Sequence, residues 1–118
     1  MNEIIRQHFT NPQNMGKLKH ATHISKCKSG FCGDTIELFA IVDHHGIVLD
    51  VKYNVFGCYA IIAAASALSE WAKGKSIHTI NTISSETALQ LLGNEIDPEK
   101  ENCINVATKA FQNLQPIK

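Results

Sequence analysis

Four cysteines and one carboxylate carry most of the chemistry open to this chain. The thiols are Cys27, Cys32, Cys58 and Cys103, and Asp34 follows Cys32 after a single glycine. Thiolates and carboxylates are ligand types of zinc and iron–sulfur sites. Cys32-Gly33-Asp34 holds two such side chains two residues apart, and Gly33 lets the backbone bend so that both can reach one ion. Cys58 follows Phe56-Gly57 and opens an alanine-rich run, Tyr59-Ala60-Ile61-Ile62-Ala63-Ala64-Ala65-Ser66. A thiol in the first turn of a helix feels the positive end of the helix dipole, which favours the thiolate. We expect Cys32, Asp34, Cys58 and Cys103 to converge on a single metal or iron–sulfur site.

Each of these residues also has an ordinary alternative. Cys32 could be a buried thiol in a plain turn between strands. Cys58 could be a small apolar residue packed at the start of a core helix, and Cys103 a core residue on the apolar face of another. Cys27 reads as an inert thiol on an edge strand. A reducing compartment argues against disulfides, and no Cys-x2-Cys knuckle points to a zinc finger or ribbon. The histidines, His8, His20, His23, His44, His45 and His78, have no spacing partner among the candidate ligands. His44 and His45 read as solvated turn residues, and Lys73 and Lys75 as a helix end.

The elements that must position these residues follow from periodicity. Residues 3–9 suggest a short helix with Ile4, Ile5 and Phe9 on its apolar side, ended by the turn chemistry of Asn11-Pro12-Gln13-Asn14-Met15-Gly16. Residues 21–28 read as a polar edge strand. Thr35 to Val42 and Ile47 to Phe56 read as two better strands joined by a hairpin turn at Asp43-His44-His45-Gly46. In the second, Ile47, Leu49, Val51, Tyr53 and Val55 share one face, opposite Asp50, Lys52 and Asn54. From Cys58 the period becomes helical, with Ile61, Ala65, Leu68 and Ala72 on one face and Gly74 as cap. Short helices are expected over Ser76–Ile83 and from Ser84 to about Leu92. Asp97-Pro98-Glu99 reads as the N-cap, first position and acidic first turn of a last helix. That helix carries Cys103, Val106, Ala107, Ala110, Phe111 and Leu114 on one face and is closed by Pro116. Strands first and helices after predict an α+β fold: a small three-stranded antiparallel sheet covered on one face by helices, with a short N-terminal helix.

The 118 residues are enough for one domain, 1–118, with one core. Hydrophobic residues make up 44% and charged residues 19%, and Lys+Arg balance Asp+Glu at 11 each. No net field attracts nucleic acid or an anionic membrane. No apolar run approaches the ~20 residues that span a bilayer, and the N-terminus lacks the form of a secretory signal. We expect a cytoplasmic protein, or one of an organelle matrix if a transit peptide has been removed.

These motifs together resemble a known family. Cys32-Gly33-Asp34 opens a strand. Phe56-Gly57-Cys58 leads into an alanine/serine run, and Glu70-Trp71-x-Lys73-Gly74-Lys75-Ser76 follows. Asn11-Pro12-x-Asn14-x-Gly16 comes after a short helix, and Cys103 stands in a last helix after a short acidic loop. The set is similar to the U-type iron–sulfur cluster scaffolds, IscU and the NifU N-terminal domain, over nearly the whole chain. The resemblance implies a scaffold, not a turnover enzyme, on which a [2Fe–2S] cluster is assembled from iron and sulfur and then passed to apo-proteins. It implies Cys32, Asp34, Cys58 and Cys103 as ligands of cluster or iron, with Zn2+ able to take the same site. By the same resemblance Cys103 accepts persulfide sulfur from a cysteine desulfurase. Ferredoxin- and frataxin-type proteins are further implied partners, and the oligomeric state a monomer or weak dimer. Three thiolates and one carboxylate make a softer-held site than four thiolates, as a carrier needs. Asp34 is then the tuning ligand, and the ligand loops are expected to be mobile until metal orders them.

Two departures from the family stand out. Asn102 occupies the place of a histidine before the third cysteine. Ile96-Asp97-Pro98-Glu99-Lys100 replaces the Leu-Pro-Pro-Val-Lys run of members served by a dedicated Hsp70. The second function compatible with the same cysteines is a zinc-bound sulfur acceptor that stimulates a desulfurase. The SufU-type relatives of that kind carry an insertion between the second and third cysteines that this chain lacks. A diverged structural or regulatory paralogue is the third.

Overall fold

The computed structural model describes residues 2–30 and 33–117. Along them run helix α1 (Glu3–Thr10), strands β1 (His23–Lys28), β2 (Thr35–Val42) and β3 (Val48–Phe56), and helices α2 (Tyr59–Ala72), α3 (Ile77–Asn81) and α4 (Ser85–Leu91). A 3-10 turn, Pro98–Lys100, leads into α5 (Glu101–Gln112), and β4 (Gln115–Pro116) ends the chain. No helix among the described residues is long and apolar enough to cross a membrane.

The α+β reading holds, but the sheet has four strands rather than three, in the order β3-β2-β1-β4. After α5, Gln115 and Pro116 pair antiparallel with Ile24 and His23. Pro116 therefore lies at the outer rim of a sheet, where its missing N–H is tolerated, rather than only closing a helix. The strand expected at the edge, β1, is flanked by β2 along its length and by β4 at its start.

One sheet face is buried. Ile36, Leu38 and Ala40 of β2 point inward with Val51 and Tyr53 of β3. The inward/outward alternation expected for β3 holds from Val51 to Val55 and fails before it. Val48 is buried and Leu49 is 58% exposed, because a bulge breaks the register between Ile41 and Val42: Ile41 pairs with Asp50, but Val42 pairs with Val48. A bulge inserts unpaired residues and resets which side chains face the core.

Helix α2 lies across the buried face, packed on β3 and flanked by α1 and α5. Its alanines, Ala60, Ala63, Ala64, Ala65, Ala67 and Ala72, are all buried. Small residues let the neighbouring helices and the sheet approach the α2 backbone closely. Helix α5 packs on β1 and β2, and the buried Ser25 hydroxyl of β1 donates to the Ala110 carbonyl at 2.6 Å. Of the apolar side expected for α1, only Ile5 is buried; Ile4 and Phe9 are 42% and 39% exposed. What docks α1 is partly polar: the Ser66 hydroxyl meets His8 Nδ1 at 2.7 Å and accepts the Gln13 amide at 2.9 Å.

The Asn11–Gly16 turn has a structural task. Asn14 sits at φ 66°. Its carbonyl accepts the Tyr53 amide and the Gly16 amide donates to the Tyr53 carbonyl. Its side chain donates to Ser69 Oγ at 3.0 Å and accepts from Lys73 Nζ at 2.6 Å. Together with the Gly74, Lys75 and Ile77 backbone bonds to Val48 and Gly46, this turn covers the outer edge of β3, which would otherwise present unpaired backbone groups.

Candidate metal centre

The register of the β2–β3 ladder places the site. Thr35 pairs with Phe56, so the next residues outward, Asp34 and Gly57, face one another at the end of the ladder. Cys58 follows as the N-cap of α2, in an extended conformation and with no side-chain capping bond. Its thiol is therefore not spent on the helix. From the other side, the first turn of α5 brings in Cys103.

These three side chains converge. One oxygen of Asp34 and the Sγ atoms of Cys58 and Cys103 all lie within 4.8 Å of one another. The two sulfurs are hydrogen-bonded at 3.1 Å, and Cys58 Sγ donates to Asp34 Oδ2 at 3.8 Å. Cys27, Cys58 and Cys103 are free thiols. Two thiolates bound tetrahedrally to one ion at ~2.3 Å stand about 3.8 Å apart, so a shift of less than an ångström accommodates an ion between these sulfurs.

The environment is closed on one side and open on the other. Asp34 is 2% and Cys103 3% exposed, whereas Cys58 is half-buried. Burial, above all, pushes the Cys103 thiol far above its ordinary range; its hydrogen bonds with Asp34 and Cys58 and the charges of both add to the shift. A metal must displace this proton to bind. Gly57 forms the wall behind the carboxyl. A Cβ there would lie 2.6 Å from Asp34 Oδ1, 2.7 Å from its Cγ and 2.8 Å from Ile61 Cγ2. The absent side chain is the space that the carboxyl occupies.

Of the four residues predicted to converge, the structure brings together Asp34, Cys58 and Cys103; Cys32 lies outside the described residues. Cys27 is not in the group. Paired with Ile36, it packs against the core and lines a groove of about 220 Å³ with Asn102, Val106 and Lys109. Asn102 is exposed. Asp97 is the N-cap expected, with Pro98 and Glu99 at the start of the element that follows, but that element is a 3-10 turn. The Asp97 side chain makes no cap bond; one carboxylate oxygen accepts from the Tyr59 hydroxyl at 3.3 Å.

Three neighbours of the site escaped the sequence reading. Gly57 figures in the sequence only as the residue before Cys58. Tyr59, directly after Cys58, has Lys100 Nζ 5.7 Å from its ring centroid. Lys100 is three residues before Cys103, a spacing that places both on one side of a helical turn. Its ammonium is held above the ordinary lysine range chiefly by the negative charge of the Cys58 thiolate, against slight desolvation, with the charge of Cys103 adding.

Known proteins share this architecture. The FiSufU protein of Fervidobacterium islandicum AW-1 superposes with a TM-score of 0.76 at 18% identity, covering 95% of this chain and 93% of that one. The N-terminal part of a NifU-like protein from Brucella abortus gives 0.75 at 15%, covering 95% and 89%. In sequence, the iron-sulfur cluster assembly scaffold protein IscU of Haemophilus influenzae is 34% identical over 113 residues, covering 93% of this chain and 88% of the relative. That of Aquifex aeolicus is 35% identical over 112 residues, covering 93% and 70%. The model of the NifU-like N-terminal domain matches residues 1–114. With its thiols and carboxyl gathered where β2 and α5 begin and β3 ends, the chain belongs to the NifU-like N-terminal domain family.

Proposed function

We propose that this protein is a scaffold on which a [2Fe–2S] cluster is assembled and from which it is passed to apo-proteins. The observation that carries the reading is the meeting of Asp34, Cys58 and Cys103 donors within 4.8 Å at the ends of three separate elements. Relatives matched over 88% and 70% of their length are named as iron-sulfur cluster assembly scaffolds, which favours this reading over a zinc-bound sulfur acceptor.

The cluster is cargo, and Cys32, two residues before Asp34, is the fourth ligand in this reading. Three thiolates and one carboxylate hold iron less firmly than four thiolates would. Asp34 is then the ligand that lets the cargo leave. Asn102, exposed and without an imidazole, is not a ligand.

Sulfur delivery makes a further demand. A thiolate attacks the outer sulfur of a desulfurase persulfide, the persulfide S–S bond breaks, and the desulfurase thiolate leaves. Cys103 in that role carries the new persulfide, but its thiol is covered and protonated in the resting arrangement. The first turn of α5 must therefore lift before sulfur arrives. The partners are a cysteine desulfurase, which supplies sulfur, and apo-proteins, which receive the cluster; the scaffold itself completes no turnover.

Anaerobic reconstitution with ferrous iron, sulfide and a desulfurase tests the function. The expected result is a cluster absorbance that Cys58→Ser abolishes. A wild-type chain that develops no such absorbance overturns the proposal.

A further inference from the structure

Tyr59 joins the two halves of the site. Its backbone is the first residue of α2, immediately after Cys58. Its hydroxyl donates to Asp97 Oδ2 at 3.3 Å. Lys100 Nζ stands 5.7 Å from the ring centroid, within cation–π range. The Phe9 ring meets it edge-on at 6.2 Å from α1. Asp97 and Lys100 are the two ends of one turn, closed by the Lys100 amide donating to the Asp97 carbonyl at 2.8 Å. A single side chain thus grips both ends of the turn that leads into Cys103.

Among the described residues, no other side-chain hydrogen bond to Asp97, Pro98, Glu99 or Lys100 is formed. Asp97, Pro98 and Glu99 are exposed. A hollow of about 360 Å³, lined by Asn2, Ile5, Tyr59 and Asp97 among others, lies beside it.

Lys100 adds charge to this grip. A divalent ion with three thiolates and one carboxylate carries a net charge of −2. The same ligands with protonated thiols carry at most −1. Loading makes the site more negative, so a nearby cation favours the loaded state. The interaction is with a group at the surface and falls as salt rises.

We infer that Tyr59 and Lys100 are positioning residues of the cargo site: the tyrosine clasps the 97–100 turn over the Cys58–Cys103 pair and seats the lysine charge beside it, and this clasp sets how long a metal is retained. The clasp also guards Cys103, since lifting the first turn of α5 requires Tyr59 to let go of Asp97. The inference rests on the metal site proposed above.

Cobalt(II) separates the two claims, because its thiolate charge-transfer absorption reports occupancy directly. The full chain is loaded with cobalt, and loss to excess EDTA is followed at low and high salt in wild type, Lys100→Gln, Lys100→Arg, Tyr59→Phe and Tyr59→Leu. Lys100→Gln and Tyr59→Leu are expected to release cobalt about two- to fivefold faster, the range a cation–π contact at an exposed site supports. They should also lose most of the salt dependence seen in wild type. Lys100→Arg should restore both retention and salt dependence. Tyr59→Phe keeps the ring but not the hydroxyl, and should release faster than wild type while retaining the salt dependence. Wild-type release rates and salt slopes in both Lys100→Gln and Tyr59→Phe overturn the clasp. A wild-type chain that takes up no cobalt through Cys58 overturns the site itself, and the clasp with it.

Discussion

Gly57→Ala is the sharpest probe of how the site is built. Gly57 does not adopt a positive φ, so alanine there carries no backbone penalty. It would, if anything, gain about 0.4–1 kcal/mol by restricting the unfolded chain. The cost comes from what the new methyl meets: Asp34 Oδ1 at 2.6 Å, Asp34 Cγ at 2.7 Å and Ile61 Cγ2 at 2.8 Å. The first two atoms belong to a carboxyl that is 2% exposed, so Asp34 can yield only by leaving its place beside the thiols. Overpacking of this kind costs about 1–3 kcal/mol, which leaves a net loss of about 0.5–2 kcal/mol after the unfolded-state gain. Metal affinity should fall with it.

The decisive comparison is the same substitution in an Asp34→Ala background. There the carboxyl is gone and only the contact with Ile61 Cγ2 at 2.8 Å remains, a methyl held on the stiff Cβ of a buried helical residue. Gly57→Ala should then cost less but not nothing, giving a coupling energy of about 1 kcal/mol between the two positions. Urea unfolding of the metal-free single and double mutants, at unchanged m, measures it. Equal costs of Gly57→Ala with and without the Asp34 side chain would refute the claim that this glycine exists to house the carboxyl.

Three further outcomes follow from the same structure. Asp34→Ala alone should raise the unfolding midpoint of the metal-free chain while weakening cobalt binding. The buried carboxyl forms no ion pair within reach among the described residues, and removing a buried group of that kind gains about 1 kcal/mol or more; a lower midpoint would contradict this. Tyr53 is buried, and burial, against an opposing contact with Ser66, pushes its phenol up to about 12. The unfolded chain ionises this group from pH 10 while the folded one does not, so stability is expected to fall between pH 10 and 12. Tyr53→Phe should flatten that fall at little cost near neutrality, since among the described residues the hydroxyl lacks a well-formed hydrogen bond; thermal melts across that pH range decide it. Asn14→Ala should cost about 2–3 kcal/mol, combining the left-handed backbone with two lost side-chain hydrogen bonds. Asn14→Gly should recover only the backbone share, and urea titrations of both variants separate the parts.

Much of the fold was legible because hydrophobic periodicity is strong where burial is strong. Ile61, Ala65, Leu68 and Ala72 of α2, and Cys103, Val106, Ala107, Ala110, Phe111 and Leu114, are buried as their spacing implies. Periodicity failed where the chain is short or polar. Strand β4 is two residues long and contains a proline, so no pattern could announce it. Helix α1 is docked through His8 and Ser66 as well as Ile5, and a polar contact between residues 58 positions apart leaves no trace in local spacing.

The site shows the same boundary more clearly. Its candidate ligands are legible as residue types near element ends, and α5 needs only its own period to turn Cys103 inward. Which residue faces Asp34, however, depends on strand register. A regular hairpin closed by Asp43–Gly46 would pair Val42 with Ile47 and set Asp34 opposite Val55. The turn displaces the pairing by one residue, setting Val42 opposite Val48, and the bulge at Leu49 by one more, so that Thr35 meets Phe56 and Asp34 meets Gly57. Had the ladder been regular, the carboxyl would face a valine and lie farther from Cys58. The exposed Leu49 is thus the visible sign of a shift whose effect is felt at the far end of the ladder, where glycine, carboxyl and thiol come together. Bulges of this kind occur where a strand must re-aim a functional residue, and neither the alternation of β3 nor its turn residues encode the offset.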